Sequence, residues 1–169
     1  MVDTIHITGS ARTHDAIVFG VGEEGKQHKR ENQSIMNKPI SSELGGVSPT
    51  IVVPGPWSKG DFKFQAENIA TQKLQNAGHN CIATQVLIMP KKWVGTEKLL
   101  QEVENKIANT DSRPAYYPGA ADRQNAAREH ANAKSLNCDV DRTIIYDVDA
   151  LIDEPCFRDE YFGHVLTTV

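Results

Sequence analysis

The run "DFKFQAENIATQKLQNAGHNCIATQVLIMP", residues 61–90, decides the fold class. Phe62, Ala66, Ile69, Ala70, Lys73 and Ala77 recur at helical spacing, and Gly78 stands where a helix closes on a left-handed residue. "QVLIMP" then has the short apolar composition of a buried strand. The order is helix, glycine stop, a lone cysteine (Cys81) and strand. Working outward, the alternation continues. In "VDTIHITG" the apolar residues Val2, Ile5 and Ile7 alternate up to Gly9, and "SARTHDAIVFG" reads as a short helix with Ser10 as its N-cap. "PTIVVPG" is a second buried-strand pattern, and "TEKLLQEVENKI" is an amphipathic helix through Leu99, Leu100, Val103 and Ile107. "GAADRQNAAREHANAKS" reads as an alanine-rich helix, "RTIIYDV" as a β-branched strand and "FGHVLTTV" as a last strand. Such βα alternation predicts an α/β fold with parallel-sheet layers. The stretch at 20–39, "GVGEEGKQHKRENQSIMNKP", has no apolar period and is expected to be a polar loop.

Composition narrows the function classes. With 169 residues, 39% apolar residues and a net charge of −4, the chain has material for a packed core and no basic face for nucleic acid. No apolar run approaches the ~20 residues of a membrane helix, and "MVDTIHITGS" lacks the apolar middle of a signal peptide. A cytoplasmic location is expected, without nucleic-acid or membrane partners. Cys81, Cys138 and Cys156 form no CxxC pair and are expected to be free thiols. The six histidines include no i,i+4 pair, so no metal site is expected. The acidic run "CDVDRTIIYDVDALIDE" lacks the order of a calcium loop and is expected to form a solvated strand edge.

Three constellations carry chemistry. "GVGEEG", Gly20 to Gly25, has the spacing of a dinucleotide loop, but that fingerprint requires a strand before it and an apolar helix after it. Glu23 and Glu24 would also stand where phosphate charge belongs. The Gly9-Ser10 turn is the better anion candidate, since it follows a strand and opens a helix with unpaired N–H groups. Cys81 lies in a Gly-x-Asn-Cys turn where backbone N–H groups can face a thiolate or an oxyanion. A helix ending at Gly78 would set its negative end near that thiolate. Glu43, in "SSELGGVSP", is followed after Leu44 by two glycines that permit close approach of a ligand. A cysteine and a carboxylate together suggest a nucleophile and a general base for water.

"ITGS" (Ile7 to Ser10), "ELGGVSP" (Glu43 to Pro49), "NAGHNCIA" (Asn76 to Ala83) and "EYFGHVLTTV" (Glu160 to Val169) follow one another along nearly the whole chain. In that order they resemble the phosphate turn, glutamate signature, cysteine signature and Glu-x-Phe-Gly-Pro segment of the NAD(P)-dependent aldehyde dehydrogenases. The resemblance implies that Cys81 is the nucleophile, forming a thiohemiacetal that loses hydride to nicotinamide and becomes a thioester. It implies that Glu43 activates the hydrolytic water and that the Cys81 N–H is an oxyanion donor. Gly9 and Ser10 would contact the pyrophosphate of NAD or NADP, and the Leu44 carbonyl the carboxamide. Glu160 would contact the nicotinamide ribose, and Phe162 would pack beside the nicotinamide. The partner would be a small-molecule aldehyde, and full-length members are expected to be homo-oligomers.

Departures mark a divergent branch. His79 stands where the family usually has glutamine or glutamate, and Val47 where it has lysine or asparagine. His164 replaces the proline after Phe-Gly, and His14 a favoured glycine. By this resemblance 1–45 would be the end of a Rossmann-type cofactor domain, including the polar loop 20–39, and 46–169 about half of a catalytic domain. The chain is expected to be an internal piece, inactive alone. Two alternatives stand beside this reading. One is a non-catalytic binding or assembly remnant; the other is an unrelated α/β protein with a nucleotide loop at Gly20 and Gly22.

Overall fold

Alternating apolar residues form the first strand, β1 (Ile5–Gly9), in a computed structural model that describes residues 2–111, 113–136 and 140–169. The chain divides into two units, Met1–Gly45 and Gly46–Val169. In the first, β1 pairs in parallel with β2 (Ile40–Leu44), Ile5 opposite Ile40 and Gly9 opposite Leu44. Ser10 caps the helix α1 (Ala11–Val18), its hydroxyl oxygen accepting the Thr13 N–H at 3.1 Å.

The polar stretch 20–39 is not all loop: α2 spans Gly22–Arg30. Its sequence lacks an apolar stripe because charge placement supports it. Glu23 and Glu24 occupy the first turn and His28, Lys29 and Arg30 the last, matching the helix dipole. The glycines serve the turn from α1 into α2. Gly20 and Gly22 have φ of +95° and +68°, and a Cβ on Gly25 would lie 2.2 Å from the Gly20 carbonyl oxygen. A helix, not a strand, precedes this turn, so it lacks the setting of a dinucleotide loop.

The second unit is a five-stranded sheet in the order β3 (Ser48–Ile51), β4 (Thr84–Ile88), β7 (Val165–Thr168), β6 (Thr143–Ile145), β5 (Ala133–Ser135). All neighbours are parallel except β5 with β6. Strand period 2 directs adjacent side chains to opposite faces. Ile144 and Leu166 join the core beneath α3 (Lys59–Leu74) and α4 (Thr96–Asn109), with Phe62, Ala66, Ile69, Leu99, Val103 and Ile107. Ile145 and Val165 join a second cluster with Ala127, of α5 (Ala120–Arg128), and Cys156, of α6 (Pro155–Arg158). Helices thus cover both faces, the α/β layering expected. A capping box starts α3, with Ser58 and Asp61 each accepting from the other's backbone N–H.

Two further expectations are corrected. The alanine-rich helix stops at Arg128, and Ala133–Ser135 leaves it as β5. Asn132 anchors the change, donating from Nδ2 to the Tyr146 carbonyl at 2.9 Å. The strand within the acidic run, β6, is interior rather than an edge and all three of its residues are buried, while the flanking acids Asp141, Asp147, Asp149 and Asp153 are exposed as expected. Cys138 and Asp139 lie outside the described residues; Cys81 and Cys156 are free thiols.

Candidate active site

Each unit gathers part of the predicted site. In the first, Gly9 and Leu44 are paired at the carboxyl ends of two parallel strands, where α/β sheets bind ligands. Ser10 follows Gly9 at the N-terminus of α1, whose first turn holds no acidic residue. Glu43, exposed, pairs in register with Thr8 one position before. The phosphate-turn and glutamate signatures are therefore side by side.

The second unit holds Cys81, Glu160 and Phe162. The expected helix closes earlier than Gly78: α3 ends at Leu74, and a 3-10 turn, Gln75–Gly78, follows with Asn76, Ala77 and Gly78 at positive φ. The Asn76 side chain fixes this turn, donating to the His79 carbonyl at 3.2 Å and accepting from the Tyr116 hydroxyl at 3.0 Å. Cys81 then lies on an exposed turn, its carbonyl accepting from the Ser48 hydroxyl at 3.2 Å. Neither Cys81 nor Glu43 is part of a metal-ligating cluster, and none exists among the described residues.

Gly78 is where the cysteine turn meets the Glu160 segment. A Cβ there would lie 2.4 Å from the Gly163 carbonyl oxygen, and φ is +73°, so glycine alone fits. The adjacent His79, 5% exposed, lies 2.9 Å through Nδ1 from the Phe162 carbonyl. A carbonyl only accepts, so Nδ1 carries the proton and Nε2 the lone pair. Burial lowers the His79 pKa below its ordinary value, which keeps that ring neutral. Its ring packs with Tyr116, Tyr117 and Phe162 at centroid distances of 4.8, 5.7 and 5.3 Å. Phe162 itself has a φ of +44°, a conformation that non-glycine residues hold only under constraint.

Further side chains supply that constraint. Gln85 donates to the carbonyls of Cys156 and Asp159 at 3.0 and 2.8 Å and accepts the Tyr161 N–H at 2.8 Å. Arg123 Nε donates to the Tyr161 carbonyl at 2.7 Å, and Lys73 Nζ to the Val165 carbonyl at 2.9 Å. Lys73 is 2% exposed, and burial drops its pKa to about 7, partly offset by the charge of Glu160. Glu160, half-buried, is raised above the usual carboxylate value by burial, against the opposing pull of the Gly46 N–H, Arg123 and Lys73. Burial, with Arg142 and Lys73 nearby, drops His164 to about 4.

Sequence reading missed this clamp. Lys73 carried the one visible signal, a lysine in register on the apolar stripe of α3. Gln85 and Arg123 act through long-range contacts that no local pattern reveals.

The aldehyde dehydrogenase family model matches residues 1–138. No curated protein matches the chain. Among solved structures, an NADP-dependent glyceraldehyde-3-phosphate dehydrogenase from Bacillus halodurans, complexed with NADP, is 19% identical with a TM-score of 0.71, over 99% of this chain and 34% of that one. An aldehyde dehydrogenase from Mycobacterium tuberculosis complexed with NAD+ is 19% identical with a TM-score of 0.69, over 99% and 36%. An indole-3-acetaldehyde dehydrogenase complexed with NAD+ is 21% identical, also with a TM-score of 0.69, over 99% and 35%. These likenesses show the fold, and the chain spans about a third of the length of those structures. With the family model matching most of its length, the chain belongs to the aldehyde dehydrogenase family.

Proposed function

We propose that this sequence carries the nucleophile and part of the cofactor site of an NAD(P)-dependent aldehyde dehydrogenase. The observation that carries the reading is the exposed Cys81 on a turn locked through Gly78 and His79 to the Glu160–Gly163 segment. Cys81 Sγ attacks the aldehyde carbon, the carbonyl electrons move to oxygen, and the Cys81 N–H faces the resulting oxyanion. Nicotinamide, when bound, would accept the hydride lost from the carbon attached to Cys81 as the carbonyl re-forms, which leaves the Cys81 thioester. Glu43 takes a proton from water as that water attacks the Cys81 thioester, releasing a carboxylic acid and the thiol.

The residues present fit the cofactor. The N-terminus of α1 offers N–H groups with no acid in its first turn, beside Gly9 and Ser10. The Leu44 carbonyl would accept from the carboxamide, the Glu160 carboxylate would hold the nicotinamide ribose and the Phe162 ring would pack beside the nicotinamide. NAD and NADP are both compatible, as relatives of this fold are complexed with each. On this reading 1–45 closes a cofactor domain and 46–169 is part of a catalytic domain. The substrate is a small aldehyde, and whole-length members assemble as homo-oligomers in the cytoplasm. No helix among the described residues is long and apolar enough to cross a membrane.

Acyl trapping tests the roles. The native chain is treated with p-nitrophenyl acetate and its peptides are weighed. The expected result is acetyl on Cys81, lost in Cys81→Ala and longer-lived in Glu43→Gln. Equal labelling of Cys81 and Cys156 in native and unfolded chain would sink the assignment.

An assembly role has one observation of its own. Edge strand β3 leaves Ile51 68% exposed, and Val53 beyond it is 73% exposed. Sedimentation separates the readings, since a strictly monomeric chain counts against assembly.

A further inference from the structure

Side chains hold most of the Glu160–His164 segment, which is neither helix nor strand; at its end the His164 carbonyl accepts the Thr143 N–H at 3.0 Å and Val165 enters β7. From Glu160 to His164 the chain lies between α6 and β7, and Phe162 occupies the left-handed region. A bulky residue keeps that conformation only where its surroundings hold it. Two of the clamping groups come from the end of α3 and the turn that carries the nucleophile. His79, two residues before Cys81, donates to the Phe162 carbonyl, and Lys73 donates to the Val165 carbonyl. Between these two hydrogen bonds, Gly78 touches Gly163 backbone to backbone.

We propose that His79 and Lys73 are positioning residues that bind the Glu160–Val165 segment to the cysteine turn, so that the nucleophile loop and the ribose-contacting loop move as one body. The inference deepens the dehydrogenase reading and rests on it for the identity of the ligand that Glu160 meets. The mechanical part rests on the contacts alone. Any displacement of the cysteine turn pulls on the Phe162 carbonyl through a neutral, buried imidazole, whose Nε2 has no other hydrogen-bond partner among the described residues. It pulls equally on Gly163, because there is no side chain between the two backbones to absorb the motion. The aromatic packing of His79 and Tyr117 on Phe162 resists rotation about that link. A glutamine side chain, like the His79 ring, presents an N–H that can donate to a carbonyl.

The test uses the 169-residue chain without cofactor. Amide exchange is read at Tyr161–Val165, and Cys81 is alkylated with iodoacetamide, a neutral probe. His79→Leu is expected to raise exchange about tenfold at Tyr161–Val165 and to change Cys81 alkylation by a similar factor, while α4 amides stay protected. Lys73→Met gives the same paired signature, and His79→Gln restores both readouts. Loosening of Tyr161–Val165 with Cys81 alkylation unchanged overturns the proposal, as does a His79→Gln variant no better than His79→Leu.

A measurement on the unmutated chain covers variants that do not fold. Lowering the pH protonates His79 against Lys73, Arg123 and His164, while the Glu160 carboxylate faces Lys73 and Arg123. Amide shifts of Phe162–His164 and of Asn80–Ala83 should then follow the midpoint of the His79 ring itself. A silent Asn80–Ala83 overturns the coupling. NAD addition is a separate arm: no response there, with the coupled loosening intact, counts against the cofactor reading and supports the mechanical link.

Discussion

Lys73 offers the sharpest test of the packing described above. Its ammonium is withdrawn from water beneath the sheet, and its pKa falls from 10.5 to about 7. The unfolded chain therefore binds a proton that the folded chain lacks between those values, and stability rises with pH across that window. Below pH 7 both states are protonated, and the full burial penalty, about 5 kcal/mol at most, weighs on the fold. Lys73→Met removes this penalty and also removes the hydrogen bond to the Val165 carbonyl, a pH-independent loss of about 1 kcal/mol. The stability difference, methionine variant minus parent, should therefore shrink by about 2 kcal/mol between pH 7 and pH 9. His164, at about 4, and Tyr161, at about 12, titrate outside that range, and His79 is displaced below it. Urea denaturation of both proteins at pH 7, 8 and 9 measures it. A difference that does not vary with pH would refute the burial of an ionisable Lys73.

Other perturbations follow from the same contacts. Gly78→Ala forces a Cβ against the Gly163 carbonyl and should lower stability by about 2 kcal/mol or more, a fall of about 4–8 °C in thermal melting. Gly22→Ala, with positive φ but open space, should lose only about 1 kcal/mol, and equal effects of the two would contradict the close approach. Acidification weakens the fold between pH 6.5 and about 4 because His164 is held neutral while the unfolded chain takes up a proton. His164→Gln should flatten that limb of the stability profile in urea titrations. In a thiol titration of the native chain, exposed Cys81 should react at once, whereas Cys156, buried and with its pKa raised by that burial, should react only on unfolding.

Where periodicity was strong, sequence and structure agree. The apolar stripe through Leu99, Val103 and Ile107 makes α4, and the alternation ending at Gly9 makes β1. The corrected segments were shaped by forces that a hydrophobic pattern does not record. α2 is stabilised by charges matched to its dipole and by the glycine contact with Gly20, and β5 by pairing with a distant strand. Cys81 and Glu43 stood out because their residue types and neighbouring glycines suit a nucleophile and a base. The clamp on Phe162 was hidden for a different reason. Its members come from α3, the cysteine turn, β4 and α5, and a histidine, glutamine or arginine buried against a remote carbonyl looks locally like any surface residue.

The central claim is that Cys81 belongs to a folded, cofactor-responsive half-site. The direct measurement is the rate of iodoacetamide alkylation of Cys81 in the native 169-residue chain, with and without NAD or NADP, against the urea-unfolded chain and a Cys81→Ser control. The account predicts a native rate distinct from the unfolded one and shifted by at least one of the two cofactors. Identical native and unfolded rates, with no response to either cofactor, would contradict it.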